Sequence, residues 1–141
     1  MENLKSLVRP FYDSCLTVKA GTTDSSQVAR IMGELLADDF QSINSLETKS
    51  KAQLIGQVQF FWKLIPDLVW APQEILQDGN KVIVRSVATG SPKGDFMGLV
   101  LDGTRSFRIM TIDIHEFAAS RIHRVHHLEE WTAAIKQLKG N

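Results

Sequence analysis

All four histidines of the chain, His115, His123, His126 and His127, lie in its last third, together with Asp113, Glu129 and Glu130. Carboxylate and imidazole groups gathered in an apolar cavity make a general acid–base site, because burial and neighbouring charge move their pKa values towards neutrality. Strand alternation decides which of them can meet. Residues 107–117 are dense in Ile, Phe and Thr and read as a long strand. Its alternation puts Phe107, Ile109, Thr111, Asp113, His115 and Phe117 on one face and Arg108, Met110, Ile112, Ile114 and Glu116 on the other. On the next strand, from Arg121, the same rule sets His123, Val125, His127 and Glu129 opposite Ile122, Arg124, His126 and Leu128. The short turn Ala118-Ala119-Ser120 makes these strands neighbours. Asp113 and His115 are therefore expected beside His127 and Glu129 in one pocket, whereas a one-residue bulge would aim Glu130 inward instead.

Plainer readings compete for the same residues. Asp113 and His115 could form a hydrogen-bonded structural pair. His126 suits a surface or an interface, and His123 a solvated place near the turn. Three histidines and a carboxylate raise the question of metal. No HxxxH on a helix and no paired cysteines support it, so no metal is expected. The single cysteine, Cys15, falls on a helical apolar stripe, where core packing is its expected role.

The elements that must hold these groups are helical first and extended later. Leu4, Leu7, Val8, Phe11, Cys15 and Val18 recur at helical spacing, with Pro10 inside the pattern kinking the helix or starting it. Gly21 to Asp24 break the chain. Asp24, Ser25 and Ser26 are N-cap types ahead of a second helix bearing Val28, Ile31, Met32, Leu35 and Leu36. A short extended piece is expected around residues 40–45. Ser50 can cap a third helix carrying Leu54, Ile55, Val58, Phe61, Trp62 and Ile65, which Pro66 helps to stop. Residues 68–76 and 82–89 then read as strands around Asp78-Gly79-Asn80, a hairpin signal. A Gly-rich stretch follows, with a second Asp-Gly at Asp102-Gly103, and Trp131, Ala134, Ile135 and Leu138 predict a closing helix. Helices, an antiparallel meander and a final helix make an α+β layout.

Composition narrows the class. A chain of 141 residues suits one domain, spanning 1–141, with a core that needs no disulfides. Sixteen basic residues balance sixteen acidic ones, which argues against a nucleic-acid or membrane-surface partner. No stretch resembles a signal peptide or a bilayer span, so a cytoplasmic protein is expected. The outward face of the long strand, with Met110, Ile112 and Ile114, is an apolar patch that predicts a homodimer formed through the sheet.

The run Phe61-Trp62-Lys63-Leu64-Ile65-Pro66-Asp67-Leu68-Val69-Trp70 resembles a signature of the SnoaL-like polyketide cyclases, also called ester cyclases, of the nuclear-transport-factor-2-like superfamily. The resemblance continues through Gly90-Ser91-Pro92, Gly94-Asp95-Phe96-Met97-Gly98, Ser106-Phe107 and Ile112-Asp113-Ile114-His115. It ends in His127-Leu128-Glu129-Glu130-Trp131 and Gln137-Leu138, similar to the "H.EDW…QL" close of the family. It covers residues from Phe60 onward well and the helical first half only in layout. The implied fold is a cone-shaped half-barrel in which a curved antiparallel sheet and helices enclose an apolar pocket. The implied activity is ring closure by intramolecular aldol chemistry without metal or cofactor, with many relatives dimeric. The resemblance implies Glu129 or Glu130 as the acid and His115 as its histidine, with Asp113 and His127 in reserve. Phe61, Trp62, Trp70, Phe96 and Phe107 are the candidate pocket residues. The chain departs from the pattern in carrying Glu129-Glu130 where cyclases use aspartate, and Ala118-Ala119-Ser120 where a "DGK" turn is frequent.

Two functions follow as expectations. One is an enzyme that removes a proton beside the carbonyl of a small apolar, polyketide-like compound. The other is a non-catalytic module of the same fold that binds a small apolar ligand or a partner.

Overall fold

A computed structural model describes residues 3–18 and 24–140 of the chain. Asn3 caps α1 (Leu4–Pro10), its side chain accepting from the Ser6 N–H at 3.3 Å. Pro10 has no N–H to continue the α-helical ladder. The chain widens there into a π-helical turn, Phe11–Cys15, closed by Leu16 N–H donating to the Phe11 carbonyl at 3.1 Å. With more residues per turn, adjacent side chains crowd to one side, and Phe11, Tyr12, Cys15 and Leu16 are all buried. The Gly21 to Asp24 break lies, apart from Asp24, outside the described residues.

Asp24 accepts from the Ser26 N–H at 2.9 Å at the start of α2 (Ser26–Leu35), which buries Val28 and Met32. Leu36 turns the chain directly into β1 (Leu36–Ile43), four residues earlier than the spacing suggests. β2 (Thr48–Ser50) returns alongside it. Ser50 then starts α3 (Lys51–Leu64) with a reciprocal cap. Its hydroxyl accepts from Gln53 N–H while the Gln53 side chain accepts from Ser50 N–H. α3 buries Leu54, Val58, Trp62 and Leu64.

β3 (Val69–Asp78) and β4 (Lys81–Gly90) form the expected hairpin, with Gly79 in the left-handed region at φ 61°. Gly90 is where α3 meets the sheet: a Cβ there would sit 2.4 Å from Ile65 Cγ2. The Gly-rich stretch is itself a small hairpin, β5 (Lys93–Phe96) and β6 (Leu99–Asp102), turned by Met97-Gly98. Asp102-Gly103 is not its turn. The Asp102 carboxylate accepts from Thr104 N–H and hydroxyl and leads the chain out towards β7 (Phe107–Ala118). The tight turn Ala119-Ser120, with φ of 51° and 65°, leads into β8 (Arg121–Glu129), and α4 (Trp131–Lys139) closes the described chain.

The six-stranded sheet has the order β2-β1-β8-β7-β4-β3. Its pairs are antiparallel, as expected of a curved antiparallel sheet, except β1 with β8, which run parallel. β3, β4, β7 and β8 run antiparallel to their neighbours in the meander, whereas β1 comes from the helical half and reaches β8 by a long crossover. The sheet is curved and open, and with the four α-helices of the described residues it makes an α+β fold. Among the described residues no helix is long and apolar enough to cross a membrane.

Alternation along β7 is as expected: Phe107, Ile109, Thr111, Asp113, His115 and Phe117 are all buried. In β8 it is interrupted. Glu116 pairs with Arg124 but Phe117 pairs with Ile122, so His123 is an extra residue in the ladder. Ile122 therefore joins Val125 on the inside, contrary to strict alternation, and His123 Nδ1 lies 3.1 Å from the Asp39 carboxylate at the surface. The turn pairs Ala118 with Arg121 and Phe117 with Ile122, a register that alone would set Asp113 opposite His126. The bulge shifts it by one, so that Val125, His127 and Glu129 take the inward parity expected of them.

Candidate active site

Cross-strand register brings the polar groups together. Asp113 faces His127, Thr111 faces Glu129, and His115 faces Val125. His127 Nδ1 lies 2.7 Å from Glu129 Oε2, and the other Glu129 oxygen accepts from the Trp131 indole N–H at 3.2 Å. The Trp70 indole donates to the Thr111 hydroxyl at 3.0 Å. Behind Asp113 stands Tyr12 from the π-helical turn. Its hydroxyl oxygen is 2.6 Å from Asp113 Oδ2 and 2.6 Å from His115 Nε2.

Asp113, His127 and Glu129 are on the wall of a cavity of about 240 Å³. Phe11, Phe61, Trp70 and Trp131 supply apolar wall, and Asn44, Glu47 and Lys49 come from the β1–β2 region. Lys49 pairs with Glu47. Carbon surface thus surrounds one polar patch, the composition that orients a small molecule by a few contacts.

Burial sets the charges. It pushes the Asp113 carboxyl up to about 7; the Tyr12 hydrogen bond and His127 oppose this, and the Glu129 charge adds to it. It holds the His115 imidazole down at about 3, helped by His127, so this ring is neutral at ordinary pH. The Tyr12 phenol is raised well above its usual value by burial and then by Asp113. For His127, burial lowers the pKa, but the hydrogen bond and charge of Glu129, with the charge of Asp113, outweigh it. The net shift is upward, with Lys49 acting against it. A carboxyl that titrates near neutrality thus faces an imidazole held towards its charged form.

Other anticipated site residues stand elsewhere. His115 shares the face but does not reach the cavity, because Tyr12 and Asp113 lie over it. Glu130 is exposed and completes the β7 ladder beyond the end of β8: its carboxylate accepts from Met110 N–H at 2.8 Å and its N–H donates to the Met110 carbonyl at 3.3 Å. Phe61 and Trp70 line the cavity, but Trp62, Phe96 and Phe107 do not. The Trp62 indole donates to the Cys15 carbonyl at 2.8 Å, deep in the core. Phe96 and Phe107 stack at 6.0 Å, and each meets Trp131 edge-on at 5.7 Å, so they support a wall residue from behind.

Sequence reasoning missed Tyr12, Lys49 and Trp131. Tyr12 is the only tyrosine of the chain, next to a recognised stripe residue, but no spacing links it to residues 101 and 103 positions away. Among the described residues no group of three His, Cys, Asp or Glu side chains is disposed to hold a metal ion.

The fold and the site define a class. The sequence profile of the SnoaL-like polyketide cyclases matches residues 6–138, and the chain belongs to that family. Solved structures carry the same fold. IdmH from Streptomyces antibioticus, assigned as a polyketide cyclase, is 20% identical with a TM-score of 0.78, over 98% of this chain and 99% of that one. TsrD from Streptomyces laurentii is 15% identical with a TM-score of 0.81, over 100% and 99% of the two chains. AclR from Streptomyces galilaeus, assigned as a hydroxylase, is 15% identical with a TM-score of 0.79, over 98% and 96%. No curated protein sequence matches the chain.

Proposed function

We propose that this chain is a cyclase-type enzyme that needs no cofactor and works by general acid–base catalysis on a small, largely apolar carbonyl compound of polyketide type. The observation that carries the reading is the pairing of Asp113, whose carboxyl titrates at about 7, with His127 across the strand boundary on one cavity wall. A catalytic base does best with a pKa near the working pH, and environments that push two groups apart mark the base and the acid. Asp113 takes a proton from the carbon beside a carbonyl, leaving an enolate. The enolate carbon attacks a second carbonyl of the same molecule, forming the ring C–C bond. The new alkoxide takes a proton from the His127 imidazolium, which recovers it from Asp113, so no proton is gained or lost overall. Glu129, bonded to both His127 and Trp131, orients the imidazole and favours its charged form. Ring walls of Phe61, Trp70 and Trp131 favour an unsaturated or aromatic substrate.

α-Proton exchange tests this without the true substrate. The protein is incubated in deuterated water with a panel of small ketones and polyketide-like diketo esters, and exchange is followed by NMR. Exchange by the wild type that disappears in Asp113→Asn supports the enzyme. Tight binding across the panel with no exchange would instead make the domain a small-molecule-binding module.

We further propose that the chain is a homodimer joined through the outer sheet face. Met110, Ile112 and Ile114 are 38–40% exposed there, and Leu128, across from Ile112, is 70% exposed. Sedimentation at micromolar concentration showing only a 15.8 kDa species would overturn this.

A further inference from the structure

The Tyr12 hydroxyl has one proton and two partners, each 2.6 Å away, Asp113 Oδ2 and His115 Nε2. His115 has a second ring nitrogen, Nδ1, which is buried and has no hydrogen-bond partner among the described residues. These facts together restrict where the protons can be.

Two arrangements of a neutral imidazole are open. In the first, His115 carries its proton on Nε2 and donates to the Tyr12 oxygen, and Tyr12 donates to Asp113 Oδ2. The cost is a bare nitrogen lone pair at Nδ1. In the second, the His115 proton is on Nδ1, Tyr12 donates to Nε2, and Asp113 Oδ2 must carry its own proton or face an oxygen lone pair at 2.6 Å. The cost is then a buried N–H without an acceptor, and such orphaned donors are rarer in proteins than under-satisfied acceptors. The first arrangement prevails because it leaves no donor unused.

We propose that His115 and Tyr12 are positioning residues that act as a one-way donor relay. They hold Asp113 Oδ2 permanently as an acceptor, so that every proton the carboxyl exchanges passes through Oδ1. The relay explains why three polar groups are buried beneath the cavity, and why His115 need not touch a ligand to matter. It also stabilises the charged form of Asp113 against burial, as does His127, while Glu129 opposes it. Lys49 acts on this cluster through His127. Its catalytic meaning rests on the acid–base reading of the cavity, but its existence does not.

The test uses the resting protein. Nitrogen-15 NMR of the imidazole is expected to show His115 protonated at Nε2 and bare at Nδ1 near neutral pH. Carbon-13 titration of the Asp113 carboxyl is expected to move its midpoint upward by about one to two pH units in Tyr12→Phe, because a hydrogen bond to a charged group is lost. His115→Gln, whose amide N–H can replace Nε2–H, should keep the midpoint near that of the wild type, and His115→Leu should raise it. A proton found on His115 Nδ1 overturns the relay, as does an unmoved Asp113 midpoint in folded Tyr12→Phe. Should Tyr12→Phe not fold, the nitrogen spectrum of the wild type decides alone. Since no substrate is used, failure of the relay and failure of the α-proton exchange test are separate results.

Discussion

The inner face of β7 has two ends with the same alternation and different physics. At one end Phe107 packs on Phe96, and both meet Trp131 edge-on, a hydrocarbon contact with nothing to titrate. At the other end Asp113 and His115, also buried, are hydrogen-bonded to the Tyr12 hydroxyl, and the charges of His127 and Glu129 act on Asp113 in opposite directions. The aromatic end stabilises by removing carbon from water. The polar end costs stability through desolvation and recovers part of it in hydrogen bonds. Fold and chemistry are thus separated by only a few residues on one strand, and the difference shows which end answers to packing changes and which to charge.

Changes at each end can break or sharpen that contrast. The largest effect is expected from Asp113→Asn, which keeps the shape and removes the base. Exchange activity should fall by about 100- to 10,000-fold while the thermal midpoint stays near or above that of the wild type. A large loss of stability with activity intact would reverse the roles of the two ends. Phe107→Ala should do the opposite, costing about 3–5 kcal/mol by denaturant titration, since Phe107 is 1% exposed and loses its stack. A cost below 1 kcal/mol would mean the aromatic end is not the structural one.

The pH response sharpens the comparison further. Asp113 keeps its proton up to about 7 when folded but only to about 3.8 when unfolded, so its contribution to stability is lost as pH rises through that range. His115 runs the other way: its proton leaves at about 3 when folded and 6.5 when unfolded, so its contribution is lost as pH falls below 6.5. Between about pH 4 and 6.5 the two slopes oppose each other. In His115→Gln only the Asp113 slope remains. The difference in stability between this variant and the wild type should therefore shift in the variant's disfavour as pH rises from 4 to 6.5, measured by urea midpoints. A constant difference would show that the polar end does not hold these protonation states.

The smallest effect on folding is expected on the outer face of the same strand. Ile112→Lys, at a position 38% exposed, should change monomer stability by less than about 0.5 kcal/mol. It should nevertheless shift sedimentation towards the monomer if that face joins two chains. A wild type and variant that sediment alike would remove the dimer interface from this face.

Much of the fold was legible because local rules decided it. Ser50 and Gln53 cap α3 whatever surrounds them, Gly79 turns the β3–β4 hairpin, and period-two burial holds along all of β7. The β5–β6 hairpin was not read, since its turn is Met97-Gly98 while the stronger Asp-Gly signal belongs to the exit at residue 102. The bulge at His123 was missed as well, because an extra residue in a ladder is set by how two strands twist against each other, not by either strand's composition.

What the sequence determined by itself, then, is the alternation along β7 and within residues 125–129, which puts Asp113 with His115 and His127 with Glu129, whereas the bulge at His123 decided that the two pairs meet. Each pair follows from alternation, which involves only neighbours along the chain. The tertiary structure alone decided that Tyr12 lies between Asp113 and His115, that Glu130 ends a ladder, and that Trp131 rather than Phe107 meets the cavity. Those outcomes depend on how a π-helical turn and a C-terminal helix dock on the sheet. Docking is fixed by packing between segments 101 and 103 residues apart for Tyr12 and 20 apart for Glu130, for which no local pattern carries the information.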